Sequence, residues 1–350
     1  MGNFGIVFTA PGVASVVELP MPSPGVGEVL VRLVRSALSS GTERANLIGA
    51  PDGDIGIFAK DDEKVTWPRH CGYSSVGVVE TVGAQVEGVR PGDRVALGWS
   101  KYAHYQTTPA SCVYLLPEGV TDASAAFTHI ATFSMAAVRK CQFEFGESAM
   151  VVGYGVLGQL TVKILRAAGA MPLMVADLLE SRRQKALACG ADFVFDPTAA
   201  DFVTLVKATA DEGRARMRGN VREAGPKIVI EATGSGKALD EALDVVAPYG
   251  RIALLGCMRG SSFSIDYYHK VHGRGVTLVG AHTLARPEGE SAPGWWTERD
   301  DALAFIRLLA GGRISADDLV DEVHAAEEAA DVFGRLVRSS EFPTVQFVWS

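Results

Sequence analysis

Apolar and polar positions alternate along the first 120 residues, in short runs that Gly, Pro and Asp interrupt. The run EVLVRLVRSAL (28–38) follows PSPGVG, and SVGVVETVG (75–83) leads through EGVRPGDRV into ALGWSKYAHYQTT. Alternation with a period of two is typical of half-buried strands, and the breaks mark turns. We therefore predict a barrel-like β domain in this part of the chain.

The pattern changes near residue 121. The Ala-rich segment TDASAAFTHIATFSMAAVRK (121–140) begins with a Thr or Asp cap and is predicted to be helical. Beyond it, the apolar runs AMVV, MPLMVAD, KIVIEATG, RIALLG and VTLVGAH alternate with helical segments, which predicts a parallel doubly wound sheet. The Arg-rich segment 211–225 is predicted to be a surface loop, with an anion-binding patch as the alternative. Two amphipathic helices and the strand PTVQFVW close the chain.

Composition narrows the class of protein. The 350 residues suffice for two domains, and 47% hydrophobic with 21% charged residues indicate a folded globular protein. A net charge of −8 argues against a nucleic-acid partner, and no apolar run reaches the length of a membrane span. Five widely spaced Cys form no disulfide or C-x-x-C pattern, and the first residues do not resemble a signal peptide. We expect a cytoplasmic protein that acts on a small molecule.

A glycine-rich motif, G-Y-G-V-L-G at residues 153–158, follows the run AMVV and opens a helical segment. Gly153 permits the tight turn, Gly155 lets the backbone approach a pyrophosphate, and Gly158 allows close packing of helix on strand. The helix that starts at Val156 and Leu157 offers free N–H groups to phosphates. The pattern predicts a dinucleotide site, with a βα turn that binds no ligand as the alternative.

Asp177 ends the next strand, 24 residues after Gly153. A carboxylate at this position accepts hydrogen bonds from a ribose 2′-OH and repels a 2′-phosphate, so it favours NAD over NADP. Arg182 and Arg183 could soften that preference, but we expect them to form a solvated helix face.

The motifs PSPGVGEVLVRL, SGTE, GYSSVGVVETVG, VRPGDRV, VVGYGVLG with Asp177, VIEATG and LLG together resemble the medium-chain dehydrogenase/reductase superfamily. They occur in the family's order and span nearly the whole chain. The resemblance implies an α/β fold with a GroES-like β-barrel catalytic domain (1–122 and 283–350) and a doubly wound Rossmann dinucleotide-binding domain (123–282). It also implies that Thr233 and Gly256 contact the cofactor, and that the chain assembles as a homodimer or homotetramer.

The positions of the family's catalytic zinc ligands carry other residues here. Ser40 stands at the first Cys, and Tyr73 and Ser74 stand at the usual His-Glu pair. The third ligand position falls near Thr128 or His129, where there is no Cys, and the four-Cys structural lobe is also absent. Zinc prefers thiolate and imidazole ligands, so we expect no zinc.

Without a metal, hydrogen-bond donors must stabilise the developing alkoxide and a side chain must move its proton. The candidates for catalysis are Thr42, Tyr73, Ser40 and His129. The alternatives are a strand-end turn that bonds its own backbone for Ser40 and Thr42, an aromatic lining for Tyr73, and a local hydrogen bond for His129. Glu43 is expected to brace the turn.

A second group of candidates surrounds the run VTLVGAH. Lys270, His272 and His282 flank this strand, and His282, just past its end, is predicted to line the substrate site. Trp295 could form a further substrate wall, since aromatic planes suit the apolar face of a sugar or cyclitol ring. Polar edge residues and a subunit contact are the respective alternatives.

These features predict a zinc-independent NAD(H)-linked oxidoreductase that transfers a hydride between a secondary alcohol and its ketone. The substrate class, a polyol, sugar or cyclitol, follows the resemblance of GYSSVG and the segment after GAH to sorbitol and threonine dehydrogenases. One alternative is an NAD(P)H-dependent quinone or enoyl reductase. Others are a non-turnover NAD-binding protein and an epimerase that retains NAD.

Overall fold

The computed structural model describes residues 2–49, 66–210, 224–258 and 263–349. The predicted loop 211–225 falls outside the described residues except for its last two. The chain divides into two compact units, Met1–Ile130 with Ala302–Ser350, and Ala131–Asp301. These units meet at 130/131 and 301/302, and the boundaries of the functional domains expected at 122/123 and 282/283 stay a prediction.

The described strands, in chain order, are β1 (Asn3–Ala10), β2 (Val13–Leu19), β3 (Glu28–Ala37), β4 (Arg69–His70), β5 (Ser74–Val82), β6 (Arg94–Gly98), β7 (Tyr105–Pro109), β8 (Val113–Leu115), β9 (Ala149–Val152), β10 (Leu173–Ala176), β11 (Phe193–Phe195), β12 (Ile228–Glu231), β13 (Arg251–Leu254), β14 (Thr277–Gly280), β15 (Glu322–Ala325) and β16 (Val345–Val348).

The described α-helices are α1 (Ser40–Ile48), α2 (Asp122–Ala125), α3 (Thr128–Lys140), α4 (Val156–Ala168), α5 (Glu180–Ala188), α6 (Phe202–Ala210), α7 (Gly236–Val245), α8 (Tyr267–Lys270), α9 (Glu298–Ala310) and α10 (Ala329–Arg338). Short 3₁₀ turns occupy Ala110–Cys112, His272–Arg274, Asp317–Leu319 and Ala326–Glu328.

The first unit is built on two sheets, as the alternating pattern predicts, and their strand pairs are antiparallel except for β15 with β16, which is parallel. One has the order β2-β1-β4; the other runs β15-β16-β3-β5-β6-β8, with β7 also paired to β3. The late strand β16 pairs antiparallel with β3, so residues from both ends of the chain share one sheet. Their common core includes an aromatic group in which Phe333 of α10 contacts Phe8 at 5.0 Å and Phe347 at 5.8 Å between ring centroids.

The second unit contains the predicted parallel sheet, with the order β11-β10-β9-β12-β13-β14. The strands β9, β10 and β12 are buried throughout, which explains their continuous apolar runs. The strand order reverses direction between β9 and β12, which pair through Val152 and Glu231 at their carboxyl ends. In open parallel sheets ligands bind at this kind of switch point.

The segment after β3 differs from its prediction. SGTERANLI forms the helix α1 and not a strand-end turn. The helix buries Ala45 and Leu47, and it ends at Gly49, whose φ of 66° closes the last turn through a bond to the Ala45 carbonyl. Burial against the first unit stabilises a short helix that its small polar residues do not favour. The strand-end turn that was the alternative for Ser40 and Thr42 is therefore replaced by the first turn of a helix, and their catalytic role stays a prediction.

Within the described residues, no helix is both long and apolar enough to span a membrane.

Candidate dinucleotide site and active site

The glycine-rich turn between β9 and α4 is shaped by close backbone contacts. Gly153 has a φ of +91°, and a Cβ there would lie 2.5 Å from Thr233 Cγ2. A Cβ on Gly158 would lie 1.9 Å from the Gly153 carbonyl oxygen. A Cβ on Gly155 would meet no atom within 4 Å, so space is open beside it at the start of α4. The turn thus combines two packed glycines with one open face, and Val156 and Leu157 form the first helical turn above it. This cradle fits a pyrophosphate.

Asp177 connects the end of β10 to this cradle. Its carboxylate accepts the Tyr154 N–H at 2.7 Å and the Leu179 N–H at 2.9 Å, and the residue is buried. Arg182 Nη1 lies 3.7 Å from the same carboxylate. Each carboxylate oxygen can accept more than one hydrogen bond, so the group is able to receive ribose hydroxyls as well.

The prediction of a solvated face for Arg183 was wrong. Its side chain is only 12% exposed, donates to the Asp177 carbonyl at 2.8 Å and lies 3.3 Å from Asp196. These local partners hold Arg183 against the loop that follows β10.

A glutamate that the sequence did not single out shapes the loop beside the cradle. Glu231, fully buried at the end of β12, accepts the Thr233 N–H at 2.7 Å, the Gly234 N–H at 3.1 Å and the Thr233 hydroxyl. Burial raises the pKa of Glu231 above its usual value, while hydrogen bonds from the loop, those from Thr233 first, oppose that shift. In the sequence, the signal for this arrangement is a Glu at the end of a strand, followed by Thr two residues later and by Gly three residues later.

Gly256 packs against this same loop. A Cβ on Gly256 would lie 2.1 Å from the Gly234 nitrogen, and a Cβ on Gly234 would lie 2.4 Å from the Cys257 carbonyl oxygen. The loops after β12 and β13 therefore touch backbone to backbone. The structure brings Thr233 and Gly256 to the same edge of the sheet as the cradle.

In the first unit, two aromatic rings contact the ring of His129. The His129 ring is fully buried in α3, 5.7 Å from the Tyr73 ring and 4.7 Å from the Trp99 ring between centroids. Both contacts are edge-on. Trp99 is half exposed and has a φ of +55°, a conformation that is strained for a bulky residue. The sequence did not point to Trp99, because nothing in VALGWSK signals a left-handed tryptophan.

The other two catalytic candidates lie in the first turn of α1. Ser40 begins the helix and Thr42 follows two residues later; both are half-buried. Glu43, the next residue, is fully buried, and its Oε1 accepts the Gly72 N–H at 2.9 Å. Glu43 thus contacts the residue directly before Tyr73, which links α1 to the start of β5.

The hydroxyls at the family's zinc-ligand positions are bonded to backbone. Ser74 Oγ donates to the Ala126 carbonyl at 2.6 Å, and Thr128 Oγ1 donates to the Ala125 carbonyl at 2.7 Å. Zinc binds thiolate, imidazole and carboxylate groups, and the described part of the chain contains no cluster of three His, Cys, Asp or Glu that could hold a metal. The hydroxyls of Ser40, Tyr73 and Ser74 are poor ligands for a catalytic zinc, and the absence of zinc stays a prediction.

The second group of candidates lies apart along the second unit. His282 is half-buried, and its Nδ1 accepts the Leu284 N–H at 3.2 Å. Lys270 bonds Asp240 at 2.7 Å and Asp244 on α7, so it braces that helix.

Trp295 is half exposed and lies 5.0 Å from Lys140 Nζ, measured to the ring centroid. Burial, followed by the nearby Arg286 charge, lowers the pKa of Lys140 to about 8. The indole of Trp295 therefore covers a buried amine.

Two family models match the chain. The alcohol dehydrogenase GroES-like domain matches residues 25–142, and the zinc-binding dehydrogenase model matches residues 156–292. The chain belongs to the medium-chain dehydrogenase/reductase superfamily. Its fold is accordingly a GroES-like domain with a Rossmann domain, and the predicted fold class is confirmed.

Members of this superfamily with similar sequences include dehydrogenases of several alcohols. The chain is 25% identical to L-threonine 3-dehydrogenase of Pyrococcus abyssi, over 96% of this chain and 95% of that protein. It is 27% identical to sorbitol dehydrogenase of Pongo abelii, over 73% and 74% of the two. These relatives identify the chain as an oxidoreductase of the alcohol and polyol dehydrogenase type.

Solved structures of the same fold contain nicotinamide cofactors. A zinc-binding dehydrogenase from Sinorhizobium meliloti 1021, bound to NADP, superposes with a TM-score of 0.79 and 21% identity over the whole of both chains. An alcohol dehydrogenase from Escherichia coli CFT073, complexed with NADH, gives a TM-score of 0.77 and 19% identity, also over both whole chains. At this level of identity they show that the chain shares the fold of these two proteins.

Proposed function

We propose that this protein is a zinc-independent, NAD(H)-linked dehydrogenase that interconverts a secondary alcohol of a polyol, sugar or cyclitol and its ketone. The observation that carries the proposal is the contact of Tyr73 with buried His129, at positions where the family resemblance places metal ligands. A phenol and an imidazole at these positions can exchange a proton with the substrate oxygen and form hydrogen bonds to it.

Bound NAD supplies the hydride acceptor in alcohol oxidation. The Tyr73 phenol donates a hydrogen bond to the substrate oxygen and stabilises the negative charge that grows on it as the carbon–hydrogen bond breaks. The substrate hydroxyl passes its proton to the hydroxyl of Tyr73 or Thr42, which gives up its own proton in the same step; the buried His129 is the base that receives the proton from Tyr73. In the reverse direction the same groups return one proton to the ketone oxygen, so one hydride and one proton are exchanged in each turnover.

The choice of NAD over NADP rests on Asp177. Its buried carboxylate lies at the end of β10. A ribose hydroxyl can donate a hydrogen bond to a carboxylate at this position, whereas a 2′-phosphate is repelled by its negative charge. Arg182, 3.7 Å away, offsets part of that charge. We therefore expect NADH to bind more tightly than NADPH.

The proposed substrate class rests on Trp99. The backbone of Trp99 is strained, and it holds a large, half-exposed ring in place. Strain of this kind is found at functional sites, so we assign a function to the ring. The exposed part of an indole suits the C–H face of a cyclic polyol, and Tyr73 next to the same His129 suits one of its hydroxyls.

The test is steady-state formation of NADH over a panel of polyols and cyclitols, with metal analysis of the same preparation. We expect Tyr73→Phe to lower kcat about 10²- to 10⁴-fold, the usual contribution of a positioned acid or base. The Kd for NADH should stay unchanged. Tyr249→Phe is the matched control, since Tyr249 is 82% exposed in the other unit.

Three results would contradict the proposal. They are stoichiometric zinc whose removal stops the reaction, full activity of Tyr73→Phe, and NADH binding without turnover of any substrate in the panel. Tighter binding of NADPH than of NADH would instead favour a quinone or enoyl reductase.

The assembly as a homodimer or homotetramer, the cytoplasmic location and the domain boundaries stay predictions. Sedimentation velocity of the purified protein tests the first of them.

A further inference from the structure

The turn Cys71–Gly72–Tyr73, which delivers Tyr73 to the rings around His129, is held by contacts from distant parts of the first unit. The Cys71 carbonyl accepts the Tyr102 N–H at 3.0 Å, and the Cys71 thiol donates to the Ile6 carbonyl at 3.4 Å. The Gly72 N–H donates to Glu43 Oε1 at 2.9 Å. Of these three hydrogen bonds, the Gly72–Glu43 bond is the one in which a side chain accepts from the backbone N–H next to Tyr73.

Gly72 is enclosed on two sides. Its φ is +88°, and a Cβ there would lie 2.7 Å from the Tyr102 ring, so the ring covers Cα closely. On the opposite side Glu43 takes the N–H. The Tyr102 phenol donates to the Ala37 carbonyl at 3.1 Å, and the Glu43 carboxylate lies close enough to raise its pKa. We call Glu43, Gly72 and Tyr102 together the Gly72 clamp.

The clamp contains a buried carboxylate that the proposed reaction does not use. Glu43 and Tyr102 are at most 1% exposed, and Cys71 is 4% exposed. Burial first, and then the Glu43 charge, raise the pKa of both Tyr102 and Cys71 well above their usual ranges, so these groups stay protonated. A carboxylate is costly to bury without donors around it, and its retention here indicates a role that an apolar side chain would not fill.

We propose that Glu43 is a positioning residue of the reaction, which fixes Gly72 and thereby the direction in which the Tyr73 side chain leaves the turn. This inference rests on the proposed role of Tyr73 in proton transfer. Misplacement of a reacting group by about 1 Å can lower a rate by about 10²-fold, so a bond one residue away from Tyr73 is close enough to matter.

The experiment compares Glu43→Gln with Glu43→Met. The Gln variant keeps an oxygen that can accept the Gly72 N–H, and the Met variant fills a similar volume without an acceptor. We expect the Gln variant to keep kcat within about threefold of wild type and the Met variant to lose about ten- to a hundredfold, with the Kd for NADH unchanged in both.

A double-mutant cycle separates positioning from general destabilisation. In a Tyr73→Phe background, Glu43→Met should lower kcat no further, because the group that Glu43 positions is already absent. An equal further loss in that background would overturn the inference. Equal losses in the Gln and Met variants would overturn it too, since the acceptor would then be irrelevant.

A readout that needs no turnover keeps this inference separate from the proposed function. The His129 ring, 5.7 Å from the Tyr73 ring, should show a shifted NMR resonance in Glu43→Met and the wild-type resonance in Glu43→Gln. An unshifted resonance in the Met variant would overturn the inference. A shifted resonance combined with full activity of Tyr73→Phe would retain the positioning of Tyr73 by Glu43 and reject the proposed chemistry.

If Glu43→Met does not fold, Glu43→Asp replaces it. This variant keeps the charge but withdraws the carboxylate by one methylene from Gly72, and the same shift and loss of kcat are expected. A wild-type resonance and kcat in Glu43→Asp would overturn the inference.

Discussion

Each unit contains a fully buried glutamate that supports a loop with a glycine, and the two are built in different ways. Glu231 accepts hydrogen bonds from Thr233 and Gly234, two and three residues further along the chain. Glu43 accepts from Gly72, 29 residues further on, and lies near the Tyr102 phenol, whose pKa it raises. The first arrangement is a local turn, whereas the second joins a helix, the start of a strand and a distant aromatic ring.

This difference decides what each carboxylate can control. Glu231 shapes one loop at the carboxyl edge of the parallel sheet, where the cofactor is expected, and its donors come with that loop. The Glu43 carboxylate has partners that only the folded unit brings together, so its loss disconnects α1 from the turn before Tyr73. We therefore expect changes at Glu231 to affect cofactor binding and changes at Glu43 to affect the chemical step.

The largest expected effects come from the glycines that the two glutamates hold. Gly234→Ala and Gly72→Ala each place a Cβ within 3 Å of other atoms at a positive φ. Strain and overpacking should together lower the free energy of unfolding by about 2–4 kcal/mol in each variant. Gly234→Ala should also weaken NADH binding, and Gly72→Ala should lower kcat; thermal melts and NADH fluorescence titrations measure both.

Gly12→Ala is the matched control for this pair. Gly12 has a φ of +75° but open space around its Cβ position, so its replacement should cost only about 1 kcal/mol of backbone strain. Equal losses in all three variants would show that close contact at Gly72 and Gly234 is unimportant.

The next effect concerns the local turn. Glu231→Met leaves the N–H groups of Thr233 and Gly234 without their acceptor, at a cost of about 1–3 kcal/mol for each buried donor. Part of that cost should appear as about tenfold weaker NADH binding, measured by fluorescence titration. Glu43→Met should leave the same Kd unchanged. Weaker NADH binding in Glu43→Met but not in Glu231→Met would contradict the expected link between Glu231 and cofactor binding.

The smallest effect is a dependence of stability on pH. Because the pKa of Glu231 is raised in the folded state, the folded protein binds this proton more readily than the unfolded chain. The associated stability is fully present below the unfolded pKa and is lost as pH rises through the folded pKa. The melting temperature of Glu231→Gln relative to wild type should therefore rise as pH increases above the usual pKa of a glutamate, about 4.3.

Glu322 supplies the opposite sign as a control. Its hydrogen bonds from Arg335, followed by those from His324, lower its pKa to about 2, so its contribution is lost as pH falls from about 4.5 toward 2. Glu322→Gln should thus lower the melting temperature at pH 7 and have less effect in acid. Parallel curves for the two variants would contradict the assigned shifts.

Much of the second unit could be predicted from sequence because its signals are local. The run AMVV, the glycines at 153, 155 and 158 and Asp177 each sit within a few residues of the elements they shape, and β9, α4 and β10 appear where expected. The prediction failed at Arg183, since its partners Asp196 and the Asp177 carbonyl are set by how the loop after β10 closes.

The first unit was less predictable at its candidate site. The alternation in EVLVRLVRSAL correctly predicted β3, but the next residues form α1 because packing buries Ala45 and Leu47. The role of Trp99 was also missed, since it depends on a ring of α3 that lies 30 residues away in sequence.

By itself the sequence determined the parallel sheet, the helices that follow its first two strands and the glycine-rich cradle, because hydrophobic period and glycine placement act over a few neighbouring residues. Only the tertiary structure decided which side chains meet around His129 and which carboxylate holds Gly72. Those contacts join residues separated by tens of positions, and their geometry depends on how whole elements pack. These contacts are stabilised by the packing of the whole core, so no short stretch of the chain determines them.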